Sequence, residues 1–127
     1  MRWALLTLAL LGTIGVAAAP AGAAGEPSGV RGVVLNTTCY GPCQVGQEPQ
    51  PYQGSGLTVV VRRVSTGEVL RRLTPEHGRF STRLGPGAYR VVAKVKGDCW
   101  DGESKRVGVR AQEFTRVELH VGNGCIL

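Results

Sequence analysis

Hydrophobic and polar residues alternate one for one over several short stretches of the chain. In residues 116–121, RVELHV, each Val or Leu follows a charged residue or a histidine. Successive side chains of a β-strand point to opposite faces, so this pattern predicts strands with one packed face and one solvent-exposed face. Seven such strands are predicted: Val30–Leu35, Leu57–Val64, Glu68–Leu73, Arg79–Leu84, Ala88–Val95, Lys105–Arg110 and Thr115–Val121.

Residues that favour turns separate these strands. Ser65–Gly67 joins two strands, and Gly85–Ala88 places Pro86 where φ near −65° suits a turn and Gly87 where φ is positive. Both connections are predicted to be hairpins, so the whole stretch Gly78–Val95 is expected to be one hairpin. Most hydrophobic residues after position 24 are Val or Leu, and no stretch there has a helical period. The pattern therefore predicts an all-β sandwich.

The first 23 residues have the composition of a signal peptide. Arg2 supplies a positive charge, Trp3–Ala19 is apolar and uncharged, and Ala21–Ala23 fits a small-residue cleavage site, with cleavage after Ala23 or Ala24. The alternative is a retained membrane anchor, but a bilayer usually needs about 20 apolar residues. We expect one domain over 24–127, secreted or periplasmic, with no membrane span after cleavage.

The four cysteines, Cys39, Cys43, Cys99 and Cys125, form an even set, which in an exported chain predicts disulfides. If the last two strands formed a hairpin with Arg110 opposite Thr115, Cys125 would lie opposite Trp100, one residue from Cys99. This register predicts a Cys99–Cys125 bridge and leaves Cys39 with Cys43 as a local ring. A tetrahedral zinc site is the alternative, although Cys99 and Cys125 lack the close spacing of a zinc knuckle.

Three segments carry a resemblance to a known family. They are residues 29–34, GVRGVV, residues 78–80, GRF, and residues 84–91, LGPGAYRV. They resemble the carboxypeptidase regulatory-like domains, which belong to the transthyretin-like sandwiches. The resemblance implies a seven-stranded, prealbumin-like (Ig-like) sandwich of the kind found in, or secreted beside, cell-surface and wall-associated proteins. It implies no enzymatic activity and no cofactor.

Two chemistries found in that wider group do not fit this sequence. The transthyretin-related hydrolases end in Tyr-Arg-Gly-Ser and use paired histidines, whereas this chain ends in Gly122–Leu127. Pilin-type isopeptide bonds need a lysine on the first strand, where this chain has Arg31, so Asn123 has no partner. We therefore expect a protein that is not an enzyme, and treat a hydrolase using His77 or His120 as a third hypothesis.

A metal site is not expected from the acidic segment near Trp100. Asp98, Asp101 and Glu103 supply three carboxylates within six residues, but their spacing matches no defined calcium loop. We interpret these carboxylates as solvated, with Trp100 covering the neighbouring disulfide.

The connection between the first two predicted strands, residues 36–56, is far longer than a usual hairpin loop and shows no strand pattern. Rigid aromatic side chains beside amides suit a neutral polar partner such as a glycan or a peptide surface. An alternative is that the loop presents residues around Tyr40 to a protease as an inhibitor, and a further alternative is a surface loop with no ligand. The candidate binding residues are Tyr40, Gln44, Gln47, Gln50 and Tyr52.

The positive charge is concentrated in the middle of the chain. The formal net charge is +6, and residues 62–96 hold nine basic residues against Glu68 and Glu76. A basic face suits an anionic envelope polymer, a glycan or an acidic protein, and nucleic acid is not expected because stacking aromatics are few. The alternative is that these charges only keep strand edges soluble. The predicted basic face consists of Arg63, Arg72, Arg79, Arg83, Arg90 and Lys94.

Overall fold

The computed structural model describes residues 27–39 and 46–125. The predicted signal peptide lies outside the described residues, as do Tyr40, Cys43 and Gln44. The described chain contains strands and no helix, so none of it is a helix long and apolar enough to cross a membrane. The strands are β1 (Gly29–Asn36), β2 (Gln50–Pro51), β3 (Leu57–Arg63), β4 (Val69–Leu73), β5 (Arg79–Arg83), β6 (Gly87–Val95), β7 (Trp100–Asp101), β8 (Glu103–Val109) and β9 (Phe114–Asn123).

The strands form two sheets. The four-stranded sheet has the order β4-β3-β6-β8, and all its pairs are antiparallel. In the five-stranded sheet, β5 and β2 pair with one edge of β1, and β9 lies between β1 and β7. The β1–β9 pair is parallel, and the whole of β1 lies beside residues 114–121 of β9.

One hydrophobic core lies between the two sheets. Val30, Val34 and Leu119 from the five-stranded sheet are fully buried, as are Val59 and Val91 from the four-stranded sheet. In β9 the alternation is as predicted, because Val117, Leu119 and Val121 are buried while the residues between them are exposed or half-buried. The prediction of an all-β sandwich is confirmed.

The number of strands differs from the prediction. Each of the seven predicted ranges coincides with a strand, but the described residues also form two strands of two residues each. One of them, Gln50–Pro51, lies in the 36–56 connection that was expected to have no strand. Two-residue strands are too short to show alternation, so the sequence pattern gave no sign of them.

The stretch Gly78–Val95 is not a hairpin. Strand β5 pairs with β1, whereas β6 pairs with β3 and β8, so the turn at Gly85–Gly87 carries the chain from one sheet to the other. The connection between β8 and β9 also crosses between the sheets. By contrast, Ser65–Gly67 does join a hairpin, β3–β4. Local turn chemistry predicts where the chain reverses, but not which strand it pairs with afterwards.

The Cys99–Cys125 disulfide is present, with its Cα atoms 5.2 Å apart. The register from which it was predicted was wrong, because β8 and β9 do not pair and Trp100 lies opposite Asn123. Instead, the β7–β9 pair holds the two ends together, and Gly124 N donates to Cys99 O at 2.7 Å. A four-cysteine zinc site is therefore wrong, and this disulfide indicates an oxidising, non-cytoplasmic environment. The predicted partner of Cys39, Cys43, lies outside the described residues.

Candidate functional site

Three arginines lie side by side on the outer face of the four-stranded sheet. Arg62 on β3 is the register partner of Arg90 on β6, and Arg90 is the register partner of Arg106 on β8. The residues beside them along the strands, such as Val61 and Val91, point into the core, so the three arginines point away from it. We call Arg62, Arg90 and Arg106 the arginine row.

Two further cations flank the arginine row. Arg72 lies opposite Val60, and Lys94 lies opposite Thr58. Val60 also belongs to the outer face, yet it is only 3% exposed. The remaining outward strand positions of this sheet carry no carboxylate and no aromatic side chain. We call Arg62, Arg72, Arg90, Lys94 and Arg106 the cationic face.

No carboxylate neutralises this face among the residues that the structure describes. The ion pairs among the described residues lie elsewhere: they join Glu103 to Lys105 and to His120, and Glu118 to His120. Two arginines of the row are instead oriented by neutral acceptors, because Arg62 donates to Gly67 O at 3.2 Å and Arg90 donates to Ser104 Oγ at 3.1 Å.

Like charges directly opposite each other on neighbouring strands destabilise a sheet. The arginine row contains two such contacts, Arg62 with Arg90 and Arg90 with Arg106. An anion laid across the row would relieve both repulsions and accept hydrogen bonds from several guanidinium groups. Chemically, the face is suited to hold an extended anion.

The structure divides the predicted basic face between two sheets. Of its six residues, only Arg72, Arg90 and Lys94 belong to the cationic face. Arg79 and Arg83 lie on β5, in the five-stranded sheet, and so on the opposite side of the sandwich. Arg63, the sixth, is at the end of β3 opposite the buried Tyr89.

Two cationic-face residues were missed by sequence reasoning. Arg62 and Arg106 are 44 positions apart in the sequence, and only β6, which lies between their strands, brings them into one row. Alternation along β8 already indicated that Arg106 faces outward. Nothing in the sequence indicated which strand lies beside it.

Tyr52, a predicted binding residue, is a core residue. It is 5% exposed, its hydroxyl donates to Ser55 O at 2.7 Å, and its ring meets Trp100 edge-on at 5.4 Å between centroids. Its backbone N–H donates to Val34 O at 2.9 Å. The aromatic group in this loop therefore anchors the 36–56 connection to the sandwich. Trp100 packs against Tyr52, a contact that was not predicted.

The structure brings two of the predicted loop residues together. Gln47 and Gln50 are exposed and line a cleft of 450 Å³ that also includes Thr38 and Trp100. The other two predicted loop residues, Tyr40 and Gln44, lie outside the described residues. Among the residues that line the cleft, Glu48 is the only one with a carboxyl group.

The two histidines have different surroundings. His77 is in an exposed turn, where its Nδ1 lies 3.2 Å from Gln53 Oε1. His120 is half-buried, with Nδ1 3.3 Å from Glu103 Oε1 and Nε2 3.2 Å from Glu118 Oε1. Both ring nitrogens are thus occupied by carboxylates. Among the described residues, no three His, Cys, Asp or Glu side chains are placed to hold a metal ion.

No model of a known protein family matches the chain, and no curated protein matches it either.

Proposed function

We propose that this protein is a secreted, non-enzymatic module that binds an anionic polysaccharide of the cell envelope through the cationic face. The arginine row is the observation that carries this proposal. Three arginines are register partners across adjacent strands, and none has a carboxylate in ion-pair range among the described residues. Repulsion within such a row destabilises the free protein, and a bound anionic ligand would offset that repulsion.

The shape of the face favours a polymer. Adjacent strands lie about 4.8 Å apart, so the arginine row presents charges at regular intervals across the sheet. Arg72 and Lys94 continue the charge into the neighbouring rows. An extended chain with repeated negative groups can contact several of these cations at once, whereas a small anion can contact only one or two.

Other anionic partners fit the face less well. A nucleic acid is favoured by aromatic side chains on which bases stack, and the outward strand positions have none. A membrane surface is favoured by apolar side chains that insert beside the charges. The apolar residues at the centre of this face are the register partners Val60, which is 3% exposed, and Val92, which is half-buried. Sugars offer hydroxyl groups instead, which suit Thr58 and Ser104 among the cations.

The proposal also covers the export of the protein and the type of its sandwich. Residues 1–23 direct export, and the Cys99–Cys125 disulfide supports an oxidising destination. The sandwich is of the prealbumin-like type, as the resemblance to carboxypeptidase regulatory-like domains implies. In support, the three segments that carry the resemblance fall on β1, on the turn into β5 and on the turn into β6.

Binding to immobilised heparin, a sulfated polysaccharide, tests the proposal. The variant carries Arg62→Gln, Arg90→Gln and Arg106→Gln. The control carries Arg31→Gln, Arg79→Gln and Arg116→Gln, which remove the same charge from the opposite sheet. We expect the variant to lose at least about tenfold in affinity and the control less than about threefold. Raising the salt from 0.05 M to 0.5 M must weaken the wild-type complex steeply.

Equal losses in the two triple variants would mean that net charge alone retains the protein, and would overturn the proposal. Retention that is insensitive to salt would also overturn it. In that case the 36–56 connection becomes the candidate surface, as a glycan site or as a protease inhibitor. A stable complex with a secreted protease that survives high salt and is lost when Gln47 and Gln50 are replaced would then favour the inhibitor.

A further inference from the structure

A groove of 850 Å³ lies on the outer face of the five-stranded sheet, on the side of the sandwich opposite the cationic face. Its floor is formed by Val33 on β1 and Ser81 on β5, which are small residues among long ones. Its walls are charged side chains of both signs from β1, β5, β9 and the turn before β5: Arg31, Glu76, Arg79, Arg116 and Glu118. The mixture of charges distinguishes this groove from the cationic face.

One end of the groove carries two neighbouring arginines. Arg31 on β1 and Arg116 on β9 are register partners in the parallel pair, so their side chains point away from the same face of the sheet. The Arg31 guanidinium lies over the Phe114 ring, 5.1 Å from its centroid, which holds it in place. Neither arginine takes part in an ion pair with a described residue. Two neighbouring arginines are suited to bind one carboxylate together.

The other end of the groove carries carboxylates. Glu118 is two residues beyond Arg116 on the same strand and points to the same face, in the row of Val33 and Arg79. One Glu118 oxygen contacts His120 Nε2 at 3.2 Å, which leaves its second oxygen for another donor. Glu76 lies beyond Arg79, which is its bridge partner in the turn.

The distance between the two ends selects the size of a ligand. Two residues along a strand advance about 6.7 Å, which is the spacing along β9 between the backbone of Arg116 and the backbone of Glu118. An extended peptide covers about 3.3–3.6 Å per residue, so the ammonium and carboxylate groups of a dipeptide are separated by a similar distance. Beside Glu118 in the same row, Val33 offers an apolar floor for one aliphatic side chain.

We propose that this groove binds a short zwitterionic peptide of about two residues, with its carboxylate on Arg31 and Arg116 and its ammonium group near Glu118. The site is separate from the cationic face and does not depend on the polysaccharide proposal. Its ligand is small and carries both charges, whereas the ligand of the cationic face is a polyanion.

Titration of the purified, oxidised protein with glycyl-leucine, followed by the amide signals of Val33, Ser81 and Glu118 in two-dimensional NMR, tests the proposal. Three capped peptides serve as matched ligands: glycyl-leucinamide lacks the carboxylate, N-acetyl-glycyl-leucine lacks the ammonium group, and the doubly capped peptide lacks both. We expect the loss of the carboxylate to weaken binding at least about tenfold and the loss of the ammonium group about threefold.

Two protein variants complete the test. Arg116→Gln is expected to weaken glycyl-leucine at least about fivefold while heparin binding stays unchanged. Arg90→Gln, on the opposite sheet, is expected to leave the dipeptide unaffected. Equal binding of all four peptides, signal changes outside the groove, or no change at millimolar peptide would overturn the proposal. Because the readouts differ, failure here is distinguishable from failure of polysaccharide binding.

Discussion

The ring of Phe80 lies against the backbone of Gly32, its register partner across the β1–β5 pair. A Cβ atom on residue 32 would be 2.5 Å from Phe80 Cζ and 2.7 Å from Val117 O. Phe80 is only 7% exposed, so its ring has little room to move. The packing of the core therefore requires a glycine at position 32, beneath the groove that Val33 and Ser81 line.

Gly32→Ala is expected to destabilise the protein by about 1–3 kcal/mol, since overpacking a filled core costs about that much. Urea unfolding measures the change. Phe80→Leu shortens the opposing ring, so Gly32→Ala should cost less in that background than in the wild type. Strictly additive effects of the two substitutions would contradict the packing argument.

Gly78 and Gly67 both have positive φ, 78° and 73° respectively, but their surroundings differ. A Cβ on Gly78 would be 2.8 Å from Val34 O and 2.9 Å from Tyr52 N, whereas a Cβ on Gly67 would meet nothing within 4 Å. Gly67→Ala is expected to cost about 1–2 kcal/mol from backbone strain alone. Gly78→Ala should cost clearly more in thermal or urea unfolding. Equal costs would show that crowding at Gly78 does not matter.

Tyr52 is expected to contribute to stability and not to ligand binding. Tyr52→Phe removes the hydrogen bond to Ser55 O and should lower the free energy of unfolding by about 0.5–1.5 kcal/mol. Heparin binding and dipeptide binding should both remain unchanged. A variant with wild-type stability but altered binding would show instead that Tyr52 contacts a ligand.

The Cys99–Cys125 disulfide closes a sequence separation of 26 residues. Replacing both cysteines by serine is expected to lower the free energy of unfolding by about 3–4 kcal/mol on the loop-entropy model. Urea unfolding of the oxidised wild type and of the double variant measures the difference. A loss below about 0.5 kcal/mol would mean that the β7–β9 pairing holds the chain end without the bridge.

The arginine row is expected to cost stability in the free protein. Arg90→Gln removes the central charge of the row, and at low salt it should raise the free energy of unfolding by about 0.2–1 kcal/mol. The gain should disappear at high salt because ions screen the repulsion. Arg110→Gln, outside the strand register, serves as the control and should change little. A destabilised Arg90→Gln protein would contradict the view that the row is kept for binding.

The positions of the long strands were predictable because alternation is a local property. The buried residues of β9, Val117, Leu119 and Val121, were assigned to one face, since a strand with one buried side must repeat every two residues. The disulfide pairing was also predicted, although from a register that does not exist. The pairing of strands that are distant in the sequence could not be predicted from the pattern. Turn residues specify where the chain reverses but not which strand it pairs with.

The sequence by itself determined that this protein is all-β, where its long strands lie, and that its middle segment is strongly basic. Only the tertiary structure decided how that charge is arranged. The turn at Gly85–Gly87 crosses between the sheets, so Arg79 and Arg83 go to one side of the sandwich and Arg90 and Lys94 to the other. The arginine row arises because β6 lies between β3 and β8. Such a row depends on contacts between residues far apart in the chain, and these form only when the two sheets bury their hydrophobic faces together.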